Sequence, residues 1–263
     1  MRRVAGVVTR CVTAVVVVLV LSPSVASAAT SDPGSTASAG VAGYGTSHGG
    51  RAIRVSHRCA EGATVDVLVI GAIHGNETAG RAVVRRLVQL APPPGTCMHL
   101  LSALNPDGVA ARTRQNARGV DLNRNFPFDW RGGGRAWQTF FPGRARASER
   151  ETRAALAMIR DIRPDVTVWY HQHATMTIRP PLPWRIALAQ AYARTSRLPM
   201  REYTLGGRLY GTASSWQHAE LPQSVALVVE LPAGPLDAGG VRRHANAVRA
   251  VATLARFDRA DVA

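Results

Sequence analysis

The chain has 263 residues, 46% of them hydrophobic, which is enough for the core of one α/β domain and gives no sign of a second. Its 32 basic residues, every one an arginine, outweigh 17 acids for a net charge of +15. The arginines are dispersed and no nucleic-acid-binding motif accompanies them, which excludes nucleic acid as the expected partner and leaves anionic surfaces such as cell-wall polymers.

The N-terminal stretch reads as a secretory signal peptide. Arg2, Arg3 and Arg10 form a basic segment, residues 12–21 an apolar one, and Ala26-Ser27-Ala28 a small-residue cleavage site. The apolar run is too short to span a bilayer comfortably, so removal of residues 1–28 is expected, with no membrane association afterwards. Loss of three arginines and no acid lowers the charge from +15 to +12. Cys11 leaves with the leader, and Cys59 and Cys97 remain in an oxidising compartment, where two cysteines pair. The expected bridge ties the starts of two neighbouring strands and contributes about 4 kcal/mol in the chain-entropy view. No metal role is expected for these cysteines, because neither sits near a histidine cluster in the sequence.

Residues 29–42 are Ser, Ala, Gly and Thr with almost no bulky apolar side chain, and read as a flexible lead-in to a domain at 43–258. A first edge strand is expected at 51–58, followed by a run of mostly β-branched residues at 65–73, the pattern of a strand buried on both faces. A helix is predicted over 76–90, stopped by Pro92-Pro93-Pro94-Gly95. The next strand, 98–104, ends in Asn105-Pro106-Asp107-Gly108, a turn by composition. Residues 109–147 read as a long irregular segment, a length usually reserved for function. Ser148 with Glu151 looks like a capping box opening a helix to about 160. A strand at 165–170, a helix at 184–197, a strand at 224–230 and an amphipathic helix at 239–257 complete the chain. The expected fold class is α/β: a single domain with a central, mostly parallel or mixed twisted sheet and helices on both faces.

Three of the strand-like runs end in residues with acid–base or metal chemistry. His74, with Glu77 three residues on, follows the first, His171 follows the strand at 165–170, and Glu230 ends the strand at 224–230. In open α/β sheets the ligand crevice lies beyond the carboxyl ends of the strands, so all three would emerge together. Two imidazoles and a carboxylate match the ligand set of a catalytic zinc ion, and a further carboxylate takes the proton of the bound water. Gly75 is expected to leave room for a tight turn. His171 directly follows the buried run and is the expected third donor, with His173 beside the pocket. His57, His99, His218 and His244 are scattered and read as ordinary surface or core residues. Trp130 and Trp137 either wall the space above the site or pack under the loop.

Taken in order, His-Gly-Asn-Glu, Asn-Pro-Asp-Gly, Arg-x-Asn-x-x-Gly-Val-Asp-Leu-Asn-Arg-Asn-Phe-Pro, Trp-Tyr-His-Gln and Val-Val-Glu-Leu-Pro resemble the zinc carboxypeptidase family, and most of all its bacterial branch of murein tripeptide amidases, or γ-D-glutamyl-meso-diaminopimelate peptidases. The opening Gly45-Thr46-Ser47-x-x-Gly-Arg and Phe141-Pro142-Gly143 with Ser148-Glu149-Arg150-Glu151-Thr152 fit the same resemblance, which covers residues 45–257. It implies a zinc site at His74, Glu77 and His171 and Glu230 as general base and acid. It also implies Arg114 as the group that polarises the scissile carbonyl, Asn123 and Arg124 as the grip on a terminal carboxylate, and Asp121 as the hydrogen-bond partner of the first zinc histidine. Tyr210 is left outside the catalytic set, since it stands at short spacing from Trp216. Gln172 stands where the murein branch can carry Asp.

The expected function is that of a secreted, monomeric zinc peptidase acting on peptides, with peptidoglycan stem peptides as the leading substrate. A carboxypeptidase for ordinary protein C-termini, an N-acyl amino acid deacylase and a non-catalytic wall-binding protein are the alternatives.

Overall fold

The computed structural model describes residues 37–181, 183–202 and 209–260; the leader and the first part of the lead-in, 1–36, lie outside the described residues. The strands are β1 (Ser38–Thr46), β2 (Ala52–Cys59), β3 (Val65–Ile70), β4 (Thr96–Leu101), β5 (Val166–Gln172), β6 (Met176–Ile178), β7 (Met200–Arg201) and β8 (Val225–Leu231). The helices are α1 (Ala79–Val88), α2 (Pro106–Ala111), α3 (Arg150–Ile162), α4 (Pro183–Ser196), α5 (Ala213–Glu220) and α6 (Ala238–Ala260). Among the described residues, the strands join in one sheet in the order β1-β2-β4-β3-β5-β8-β6-β7. Its centre, β4-β3-β5-β8, is parallel, whereas β1, β2 and β6 pair antiparallel. The result is the expected mixed α/β sheet.

Alternation along the central strands sorts their side chains between two cores. Val65, Val67 and Val69 of β3, with Val166, Val168 and Tyr170 of β5, pack against α1, α4 and α6. Leu68 and Ile70, with Trp169 of β5, face α3 and α5 on the other side. His171 follows Trp169 by two residues, and Glu230 follows Val228 by two on β8, so both emerge on the second face. Because a parallel strand needs a long crossover, the elements at its carboxyl end are loops, and those loops carry the chemistry.

Several boundaries differ from expectation. Residues 38–42, read as part of a flexible lead-in, belong to β1, which pairs with β2 along its length although most of its residues are exposed. That pairing moves β2 one place in from the edge. Asn105-Pro106-Asp107-Gly108 opens the six-residue helix α2 rather than a simple turn: the Asn105 side chain accepts a hydrogen bond from Gly108 N, and Pro106 occupies the first helical turn, where its missing N–H costs nothing. Ser148 does not cap α3, whose N-cap is Glu149; the Ser148 hydroxyl donates to Glu149 Oε1 instead. Glu151, buried, accepts from His48 N and Asn116 Nδ2. Cys59 and Cys97 are bridged, but Cys59 closes β2 rather than opening a strand, and the two stand directly opposite each other in the β2–β4 ladder.

Candidate metal centre

The β3 run carries the chain through Gly71 to His74, and the loop His74-Gly75-Asn76-Glu77 turns it into α1. Gly75 is needed here for contact rather than for an unusual turn: a Cβ on it would lie 1.9 Å from the carbonyl carbon of Gly108. The backbones of the His-Gly-Asn-Glu and Asn-Pro-Asp-Gly segments therefore press directly on each other. Behind them Asp107 accepts from Ser47 Oγ (2.8 Å), Gly49 N (2.7 Å) and Arg51 Nη1 (2.6 Å), fastening the turn between β1 and β2 to α2. These donors hold the Asp107 pKa below its usual value against the opposing effect of burial.

His74, Glu77 and His171 are all buried, and their donor atoms converge. His74 Nδ1 lies 2.9 Å from Glu77 Oε2, His171 Nδ1 lies 3.0 Å from the same oxygen, and the two Nδ1 atoms are 3.2 Å apart. A triangle with such sides admits a point about 2 Å from each corner, the length of a zinc–ligand bond. The other nitrogen of His74 is held 3.0 Å from Asp121 Oδ1, which fixes its proton there and directs the Nδ1 lone pair at the other two donors. The residues thus fit a zinc ion by donor type, spacing and orientation.

The electrostatics agree with the geometry. Burial alone would raise the Glu77 pKa, but His74 and His171 outweigh it and hold the carboxylate well below the usual range. Asp121 is likewise kept ionised against its burial by His74, Arg114 and Arg124. Burial would lower His74, yet Asp121 and Glu77 together raise it, the signature of a pocket of negative charge that a cation satisfies.

Asp121 is the hub of the site. It caps the short 3-10 turn at Leu122–Arg124, accepting from Asn123 N at 2.9 Å, and its second oxygen takes Arg114 Nε (3.1 Å) and Nη2 (3.0 Å). Arg114 Nη1 reaches Glu77 Oε1 at 2.9 Å, so this guanidinium braces both the Glu77 carboxylate and the partner of His74. Three of its five N–H groups are used in these bonds, leaving two for a substrate oxygen. Asn123 accepts from Ala213 N through Oδ1, and its Nδ2 lies 3.5 Å from His171 Nε2.

These side chains open into a cleft of about 430 Å3 that is also lined by Arg124, Phe140, His173, Ile178, Leu209, Ser214, Ser215, Val228 and Glu230. Glu230 is half-buried and pairs in register with His171 across β5 and β8. His173 is exposed on the rim and stands apart from the three converging donors. Phe140, 60% exposed, lies beneath both cleft arginines, with Arg114 Cζ 5.5 Å and Arg124 Cζ 4.9 Å from its ring centre. Sequence reading missed Phe140; its only signal is adjacency to the Phe141-Pro142-Gly143 motif. Trp130 instead donates to Pro142 O within the loop, and Tyr210 stacks under Arg131; neither they nor Trp137 line the cleft.

A model of the zinc carboxypeptidase family matches residues 95–217, which include Arg114, Asp121, Asn123, Arg124 and His171. Murein peptide amidase A of Escherichia coli K12 is 30% identical over 115 residues, covering 40% of this chain and 48% of that protein. Carboxypeptidase SOL1 of Arabidopsis thaliana is 34% identical over 116 residues, covering 39% of this chain and 22% of that protein. The chain thus spans about half or less of the length of these two relatives. The crystal structure of the murein-tripeptide amidase MpaA from Escherichia coli O157 superposes with a TM-score of 0.61 at 26% identity, over 82% of this chain and 92% of that one.

Proposed function

We propose that this chain, whose residues 95–217 match the zinc carboxypeptidase model, is an exported hydrolase that cleaves the amide bond of a terminal, carboxylate-bearing residue in a peptidoglycan stem peptide, at the γ-D-glutamyl-diaminopimelate bond. The observation that carries the hydrolytic reading is the convergence of His74 Nδ1, Glu77 Oε2 and His171 Nδ1 within 3.2 Å of one another, with Glu230 beside them in the same cleft. The stem-peptide reading is supported by the two murein amidase likenesses, one of them extending over most of the relative's fold. Export rests on the leader motif, and anionic wall polymers are the expected surroundings of so basic a chain.

His74, Glu77 and His171 would hold the zinc ion, which when bound would supply Lewis acidity, lowering the pKa of a water towards about 7 and polarising a carbonyl. Glu230 takes up a proton from the attacking water and delivers it to the leaving amine. Its half-buried position leaves the carboxylate accessible to both partners. Arg114, already anchored on Asp121 and Glu77, offers its remaining N–H groups to the oxygen on which negative charge develops; one such donor is worth roughly 3 kcal/mol in comparable sites. Arg124, laid over Phe140, presents a planar fork to the terminal carboxylate, with Asn123 alongside. Asp121 holds His74 in one tautomer throughout.

Incubation with murein tripeptide, hippuryl amino acids and N-acetyl-aspartate, followed by mass spectrometry, tests the reading. Release of diaminopimelate from the first, much faster than cleavage of the other two, is expected. Preference for hippuryl substrates would make the protein an ordinary carboxypeptidase, and preference for N-acetyl-aspartate a deacylase.

A further inference from the structure

At the opposite end of the sheet, where β3 begins, two alternate steps of the β2–β4 ladder carry four side chains of metal-ligating type. His57 stands opposite His99, and two residues along each strand, on the same face, Cys59 stands opposite Cys97. The sequence reading kept the cysteines apart from any histidine cluster; strand pairing brings them together. His57 Nδ1 and His99 Nδ1 are 2.6 Å apart, and His99 Nε2 is held 2.7 Å from Asp66 Oδ1. That carboxylate fixes His99 as Asp121 fixes His74: one ring nitrogen is tied to an acid while Nδ1 faces His57 Nδ1. His99, Cys97 and Asp66 donor atoms lie within 4.8 Å of one another.

We propose that this ladder, once its disulfide is reduced, is a second metal site that takes a thiophilic divalent ion such as zinc through Cys59, Cys97, His57 and His99. Two thiolates and two imidazoles are a ligand set that favours tetrahedral zinc. In the oxidised chain the sulfurs are bonded to each other and unavailable as thiolates. A dithiol reductant supplies two electrons and two protons, becoming a disulfide itself as the Cys59–Cys97 bond opens to two thiols. Metal binding then releases both thiol protons. The site is independent of the catalytic cleft, which uses no sulfur, so sulfur ligation is the signal that separates the two.

Cobalt(II) is the probe. Oxidised full-length protein should bind one equivalent, without sulfur-to-cobalt charge-transfer absorption in the near ultraviolet. Protein reduced with dithiothreitol and freed of it under argon should bind a second equivalent and gain that absorption, with an unchanged far-ultraviolet circular dichroism spectrum. His99→Gln, which keeps both cysteines, should lose the second equivalent at matched cobalt concentration, and Cys97→Ser should lose the absorption altogether. A reduced protein that takes one equivalent without charge transfer overturns the proposal. So does a second equivalent that survives in His99→Gln, or that appears only as the circular dichroism collapses.

Discussion

His171 and Glu230 are register partners on the adjacent parallel strands β5 and β8, so an imidazole and a carboxylate leave the sheet side by side on the same face. The ladder of backbone hydrogen bonds, rather than any loop, sets the spacing between His171 and Glu230. A site built on strands is held more tightly than one built on loops, and its acid–base partner needs no closure to be brought near.

Glu230→Gln should therefore preserve geometry while removing proton transfer. Turnover of murein tripeptide is expected to fall by about 100- to 10,000-fold, the usual share of a general acid–base group. Zinc measured by mass spectrometry should remain at the wild-type stoichiometry. Loss of the metal together with activity would place Glu230 among the ligands instead.

Asp121→Asn should act through the histidine it holds. Zinc affinity, measured by competition with a chromogenic chelator, is expected to drop by roughly 10- to 100-fold. Arg114 loses its main anchor in the same variant, so kcat should decline even at saturating zinc. An unchanged affinity would show that His74 needs no help in choosing its tautomer.

Gly75→Ala places a methyl group where the Gly108 backbone already stands, 1.9 Å from its carbonyl carbon. Neither backbone can yield without moving His74 or α2. A loss of about 1–3 kcal/mol, the ordinary range for overpacking, or more is expected in urea unfolding, with weakened zinc binding. Asn76→Ala, at the exposed neighbouring position, should leave stability nearly unchanged.

Acid should destabilise the fold through two histidines that do not line the cleft. Burial, aided by Arg185 beside His218 and Arg243 beside His244, lowers both from 6.5 to about 4. His218 Nε2 accepts from Ala226 N, and His244 Nδ1 pairs with Tyr192 OH, so both are held neutral. A folded-state pKa below the unfolded one means that the folded chain binds fewer protons. Each contribution is thus complete above pH 6.5 and is lost as pH falls towards 4, at most about 3 kcal/mol apiece. Urea midpoints of the wild type at pH 7.5 and 5 should differ by more than those of His244→Gln; equal differences would contradict the assignment.

Much of the architecture was legible because the buried strands announce themselves as unbroken apolar runs. Val65–Ile70, Val166–Gln172 and Val225–Leu231 were found within three residues at either end, and the reactive side chains at or just beyond their ends came with them. β1 was not legible: its residues are small and mostly exposed, and hydrogen bonding to β2 rather than side-chain burial makes it a strand. Gly75 and Phe140 were misread or missed for a related reason. What each contributes depends on a neighbour distant in sequence, Gly108 in one case and the paired guanidiniums in the other. The histidines at 57 and 99 looked scattered because only pairing between β2 and β4 makes them adjacent.

Asp107 grips Ser47, Gly49 and Arg51, while the next residue, Gly108, abuts Gly75 beside His74. A stiff relay of only a few residues thus runs from the outermost hairpin of the sheet to the ion-binding corner. Trimming the chain into that hairpin would leave every ligand in place yet loosen the seat of His74. Metal retention would then gauge whether the amino-terminal border of the domain is intact.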